Sequence, residues 1–232
     1  MKPDHSDLYI TRKRKKWKFA HFALWPHCFE GHQITSAKWA DYFGSQQPVV
    51  VEIGAGTADL SVGLSQRHPQ THFVAVDVKA DRLYTGAKFV LEHELKNLAF
   101  VRAHASQLTA VFAPKSVQQL WLTFPDPFAR TKQAKHRLTH PNFLQKYRDL
   151  LAPDGKLRLK TDNLPLFLWS LEQLVQQGWH IQELSFDLHQ SGLPEDYKIT
   201  TYYERKFTAE DKKINYLSAS QTLRPNHPLP IT

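Results

Sequence analysis

Four carboxylates stand at, or just after, the ends of apolar runs that read as buried strands. Glu52 lies in Val49–Ile53, Asp77 follows His72–Val76, Asp126 follows Leu120–Phe124, and Asp162 follows Lys156–Lys160. One acid after a strand is an ordinary turn former. Four of them in one chain point to a shared pocket. Asp126 is the most constrained, fixed between Pro125 and Pro127. A basic stretch follows it at once, with Arg130, Lys132, Lys135 and Arg137, and no acid returns before Asp149. A carboxylate held at a strand end beside a cationic loop is what a site needs to do chemistry next to a polyanion. Read alone, the stretch is equally a rigid turn leading into a solvated basic loop.

A second constellation surrounds the first strand. Glu52-Ile53-Gly54-Ala55-Gly56-Thr57-Ala58-Asp59 is a glycine-rich strand-to-helix turn. Gly54 and Gly56 allow a ligand close to the backbone. A dinucleotide fingerprint needs a third small residue where this chain has Asp59, and a diphosphate meets that carboxylate unfavourably. Glu52 and Asp59 instead suit a ligand carrying positive charge, and Asp77 is spaced to accept hydrogen bonds from ribose hydroxyls. S-adenosylmethionine has adenosine, ribose, an ammonium and a sulfonium, and no phosphate, so it fits better than a nicotinamide cofactor.

Strands alternating with helices must position these residues. Predicted strands cover 49–53, 72–76, 98–102, 120–124 and 156–160. Helices lie between them, one with Leu83, Ala87, Val90, Leu91 and Leu95 at helical spacing. Two later strands, Trp179–Leu188 and Thr201–Phe207, have no helix of useful length between them and are expected to pair antiparallel. The implied fold class is α/β: a doubly wound, mostly parallel seven-stranded sheet with a C-terminal antiparallel strand. Ligands of such sheets bind beyond the carboxyl ends of the strands, where strand order reverses. Three segments are expected: a basic, aromatic arm over 1–34, a domain over 35–222, and a Pro-rich tail over 223–232.

The bulk numbers agree with an anionic partner. The 232 residues carry a formal net charge of +8, which favours nucleic acid, anionic lipid or a phosphorylated substrate. The arm packs Arg12, Lys13, Arg14, Lys15, Lys16 and Lys18 among Trp17, Phe19, Phe22 and Trp25, a composition expected to dock on its own domain or on RNA. Cys28 is the single cysteine, which fits a reducing compartment. No secretory signal and no membrane span are read, so a soluble cytoplasmic protein is expected. The spacing of His21, His27, Cys28 and His32 matches no zinc pattern, and no metal is expected. The oligomeric state, monomer or homodimer, stays open.

The chain resembles the bacterial tRNA (guanine-N7-)-methyltransferases. The matching stretches are Glu52-Ile53-Gly54-Ala55-Gly56, Pro125-Asp126-Pro127-Phe128 with its basic tail, Lys160-Thr161-Asp162-Asn163, and Thr201-Tyr202-Tyr203-Glu204-Arg205-Lys206-Phe207. The resemblance implies a class I methyltransferase that uses S-adenosylmethionine to methylate N7 of a guanine in the tRNA variable loop. It implies Glu52, Asp77, His104 and Asp126 as cofactor contacts, with Asp126 also the active-site aspartate. It implies Arg130, Asp162 and Thr201 to Glu204 as substrate contacts, and Lys132 to Arg137 as an RNA-contacting loop. Departures are Phe128 for the usual Trp, Arg130 for Lys, Gln133 and His136 within the basic block, and His104 where the family has an adenine-contacting acid.

The chemistry agrees with these residue types. Guanine N7 has a free lone pair, so methyl transfer needs no base. Positive charge passes from sulfur to the purine, and in-line positioning supplies most of the rate gain. Asp126 would orient the base and stabilise the cation forming on it. Asp162 and Glu204, acceptors only, would pair with guanine N1 and N2 and disfavour adenine. Lys132, Lys135 and Arg137 would contact phosphates. Two rivals share the scaffold: a methyltransferase acting on another RNA or a small molecule, and a non-catalytic RNA-binding module.

Overall fold

The structure is a computed structural model that describes residues 12–222. Its frame is one sheet of eight strands: β1 (Cys28–Glu30), β2 (Val49–Ile53), β3 (Phe73–Asp77), β4 (Leu98–Arg102), β5 (Val117–Thr123), β6 (Leu151–Thr161), β7 (His180–Ser185) and β8 (Asn215–Ser220). They run side by side in the order β1-β4-β3-β2-β5-β6-β8-β7. The first six in that order pair parallel, and β8 is antiparallel to both β6 and β7. The central strands are apolar on both faces because helices cover both. Val49, Val51 and Ile53 pack to one side against α2 (Ser36–Phe43), α5 (Leu108–Val111), α6 (Pro141–Leu150) and α7 (Leu164–Gln176). Val50 turns to the other side, where α1 (Arg12–Phe22), α3 (Asp59–Arg67) and α4 (Ala80–Glu92) lie. The two-residue period of a strand sends Glu52 to that same second face, toward α3.

Chain order runs outward from β2 to β3 and β4, then returns to the other side of β2 at β5. The switch point therefore lies between the carboxyl ends of β2 and β5, and the site forms there.

Three expectations are corrected. The sheet has eight strands where seven were expected, because Cys28–Glu30 of the arm adds to the edge beside β4. Arg102 fixes it, donating from Nε to both Glu30 oxygens at 2.8 and 2.7 Å, while its guanidinium covers the Phe19 ring at 4.8 Å. The Thr201–Phe207 stretch is helical, forming α8 (Tyr202–Thr208). Thr201 accepts from the Glu204 N–H and Glu204 accepts from the Thr201 N–H, a capping box that outweighs the strand propensity of Thr-Thr-Tyr-Tyr. The true antiparallel partner of β6 is β8, a stretch of the expected domain for which no strand was read. The Pro-rich 223–232 lies outside the described residues.

The arm docks on its own domain. α1 lies along α4 with Lys18 fully buried, its ammonium 5.0 Å from the centre of the Tyr84 ring. His27 spends its Nε2 on the Ala87 carbonyl at 2.9 Å, beside buried Cys28. Among the described residues no helix is long and apolar enough to cross a membrane.

Candidate active site

A cavity of about 480 Å3 opens at the switch point. Five strand ends supply its walls: Ile53 and Gly54 after β2, Asp77 ending β3, His104 after β4, Asp126 after β5, and Asp162 after β6. Gly54, Asp77, His104, Asp126 and Asp162 are thus brought together, as expected from sequence.

The β2 turn is shaped by its glycines. Gly54 and Gly56 hold φ of 71° and 56°, a region that L side chains rarely adopt. The buried Asp77 carboxylate accepts from the Gly56 N–H at 2.9 Å and from the Lys79 N–H at 2.8 Å. The backbone donor a diphosphate would claim is therefore already paired to a carboxylate. Such a turn repels phosphate and suits a neutral or cationic nucleoside, which is the chemistry of S-adenosylmethionine.

His104 lines the opposite wall as the cap of a short helical turn. Its Nδ1 accepts from the Ser106 N–H at 3.2 Å. A histidine thus stands in the wall where an acid would offer only acceptors.

Asp126 sits in an exposed loop and makes no ion pair among the described residues. Phe124 and Phe128, on either side of Pro125-Asp126-Pro127, hold φ of 49° and 43°. Non-glycine residues seldom take that conformation, and two flanking one acid indicate a shape imposed from outside. Asp162 follows β6, half-buried, with the Lys212 ammonium 3.4 Å away.

Glu52 lies beneath this cavity rather than in its wall. It is 2% exposed. One oxygen accepts from the Ser61 N–H and Oγ at 3.1 and 2.6 Å, and the other accepts from Thr123 Oγ1 at 2.6 Å. Burial pushes its carboxyl up to about 7, against these hydrogen bonds, with the Asp59 charge adding to the rise. Only Thr123 carries it to the cavity. Asp59 likewise turns away, accepting from the Tyr202 N–H at 2.6 Å and so holding the start of α8.

Glu204, expected to meet a base, is engaged inside the protein. It is fully buried, paired to the equally buried Lys160 at 2.8 Å and to His189 at 2.8 Å. Desolvation draws the Lys160 ammonium below its ordinary range, while the Glu204 charge holds it up. Gly56 and Thr201 are buried and absent from the wall. Arg130, Lys132 and Lys135 are exposed just beyond it.

Sequence reasoning found only part of the aromatic wall: Tyr203 falls within the Thr201 to Glu204 stretch, while Phe124 and Phe207 were not singled out. Phe124, Tyr203 and Phe207 line the cavity, with Tyr203 and Phe207 rings 6.3 Å apart and Phe124 5.7 Å from Phe207. Tyr203 and Phe207 are four residues apart on α8, and the Thr-x-x-Glu capping signal at Thr201 was enough to find that face. Lys79 and Arg82, in and before the first turn of α4, also line the cavity.

Strand order, the antiparallel β8 and the glycine turn at the switch point define a class I methyltransferase fold. Solved structures share this fold. They include an antibiotic-related methyltransferase (TM-score 0.61, 17% identity, 82% of this chain and 96% of that one) and the 16S rRNA methyltransferase KamB (TM-score 0.62, 15% identity, 80% and 93%). The family model for putative methyltransferases matches residues 46–217. A tRNA (guanine-N(7)-)-methyltransferase of Brevibacillus brevis is 38% identical over 186 residues, 80% of this chain and 86% of its own length. One from Cytophaga hutchinsonii is 38% identical over 207 residues, 88% and 94% respectively. The chain belongs to the tRNA (guanine-N(7)-)-methyltransferase family, which uses S-adenosylmethionine.

Proposed function

We propose that this protein transfers a methyl group from S-adenosylmethionine to N7 of a guanine in the tRNA variable loop. The observation that carries this reading is the Asp126 loop: an exposed carboxylate, with no ion pair among the described residues, over a cavity it shares with Asp77, His104 and Asp162. Membership of the family and the cationic loop next to the cavity support it.

Bound in this cavity, S-adenosylmethionine supplies an electrophilic methyl group. Gly54 lets it approach the backbone, Asp77 accepts from ribose hydroxyls, and His104 contacts the adenine. Asp126 orients the guanine and stabilises positive charge as it develops on the purine, where a fixed carboxylate is most effective. No residue has to remove a proton, because guanine N7 already carries a free lone pair. Asp162 accepts from the guanine edge, while Glu204 acts at a distance by anchoring α8 and its aromatic face. Exposed Arg130, Lys132 and Lys135 meet tRNA phosphates, whose contacts dominate RNA affinity.

The test is mass analysis of nucleosides after incubating the protein with S-adenosylmethionine and unmodified tRNA. The reading expects 7-methylguanosine located in the variable loop. Methylation at another atom or in another RNA would replace it with the related-enzyme reading. Absence of cofactor binding by calorimetry would leave only an RNA-binding module.

A further inference from the structure

We propose that Arg137 is a positioning residue that holds the Asp126 loop in shape, and that it is not a phosphate contact. The proposal rests on the assignment of Asp126 to methyl transfer. The loop is anchored firmly at its first end, where the Phe124 N–H donates to the Lys160 carbonyl at 2.8 Å and continues the β5–β6 ladder. Beyond that point Pro125 and Pro127 have no N–H to donate, and Phe128 is again in the left-handed region. The second end is held by side chain. Arg137 donates from Nε to the Pro127 carbonyl at 3.0 Å and from Nη2 to the Phe128 carbonyl at 3.1 Å.

The guanidinium is itself held in place. It lies 4.4 Å from the centre of the Trp169 ring on α7, a helix seated on the core through Phe167 and Leu174. Neighbouring His136 rests its ring 5.6 Å from that of Phe128. Strained backbone persists only where its surroundings over-determine it, and this fork, backed by α7, is that determinant. A planar guanidinium reaches two carbonyls at once, whereas an ammonium is a single point donor, so Lys cannot replace it. Lys132 and Lys135 differ: both are exposed and their side chains make no hydrogen bond or ion pair among the described residues. The basic stretch therefore divides into free cations for RNA and one strut for Asp126.

The experiment compares Arg137→Lys and Arg137→Gln with Lys132→Glu. Steady-state kinetics on tRNA, the salt dependence of tRNA binding, and native-state chymotrypsin cleavage after Phe128 are measured. The proposal expects both Arg137 variants to lower kcat by roughly 10- to 100-fold, as misplacement of a reacting group does. KM for tRNA and the salt slope should stay within about twofold of the parent protein, and cleavage after Phe128 should quicken about tenfold as the loop opens locally. Lys132→Glu should raise KM and flatten the salt slope, with cleavage unchanged. Retained kcat with a raised KM and a salt slope reduced by about one would mark Arg137 as a phosphate contact and overturn the proposal. Unchanged cleavage in Arg137→Gln would overturn it too, whatever the activity. Should the parent protein methylate no tRNA, the functional reading fails and the cleavage rate alone decides the strut.

Discussion

The rim and the floor of the cavity carry the same residue type in opposite states. At the rim, Asp126 is exposed and makes no ion pair among the described residues, and Asp162 is half-buried with a loose salt bridge to Lys212. Beneath and beside the cavity, Glu52, Asp59 and Glu204 are buried, and each is bonded to the protein's own donors. Rim acids are available to a ligand. Floor acids fix the elements that present the rim: Glu52 ties β2 to α3 and β5, while Asp59 and Glu204 together hold α8. The lesson is that a motif acid is assigned to substrate or to scaffold by its burial and its partners, not by its place in the motif.

The largest effect should come from breaking the floor at its most desolvated pair. Glu204→Ala leaves the Lys160 ammonium buried and unpaired, a loss of about 3–5 kcal/mol for such pairs. Chemical denaturation should show it as a lower midpoint, and loss of activity should follow loss of structure. An unmoved midpoint would return Glu204 to the list of ligand contacts.

Glu52 sharpens the comparison through pH. Its folded value, about 7, lies above the ordinary 4.5, so the folded protein holds that proton more tightly than the unfolded chain does. Its contribution is complete below about 4.5 and is lost as pH rises through about 7. From pH 5 to pH 8 the parent protein should therefore lose stability relative to Glu52→Gln, by at most about 3 kcal/mol. The glutamine keeps an acceptor toward Ser61 and gives an amide donor to the Thr123 hydroxyl, which accepts as well as donates. Parallel stability curves for the two proteins would place Glu52 in solvent contact.

The smallest effect belongs to the outermost residues. Lys132→Glu with Lys135→Glu should flatten the dependence of tRNA affinity on salt by about two phosphate contacts and leave thermal stability unchanged. An unaltered slope would turn that loop away from RNA.

Most of the parallel sheet was legible because β2, β3, β4 and β5 are buried on both faces and read as apolar runs. β8 was not, since Asn215, Ser218 and Ser220 break any apolar pattern although all six residues are buried. Asn215 donates from Nδ2 to the Thr161 carbonyl at 3.1 Å and Ser220 from Oγ to the Thr222 carbonyl at 2.7 Å, while the buried Ser218 hydroxyl has no hydrogen-bond partner among the described residues. At the site, Asp77, Asp126 and Asp162 were legible because strand ends converge at a switch point. The burial of Glu52, Asp59 and Glu204, and the carbonyls that engage Arg137, were not legible, because sequence displays charge but not the partner that engages it.

The most direct measurement is single-turnover methyl transfer to tRNA by Asp126→Ala at saturating S-adenosylmethionine and tRNA, with its unfolding midpoint determined in parallel. The account predicts a rate lowered by roughly 10²–10³-fold, the scale of losing one preorganised charge-stabilising group, with a midpoint equal to that of the parent protein. A rate within a few-fold of the parent would contradict it.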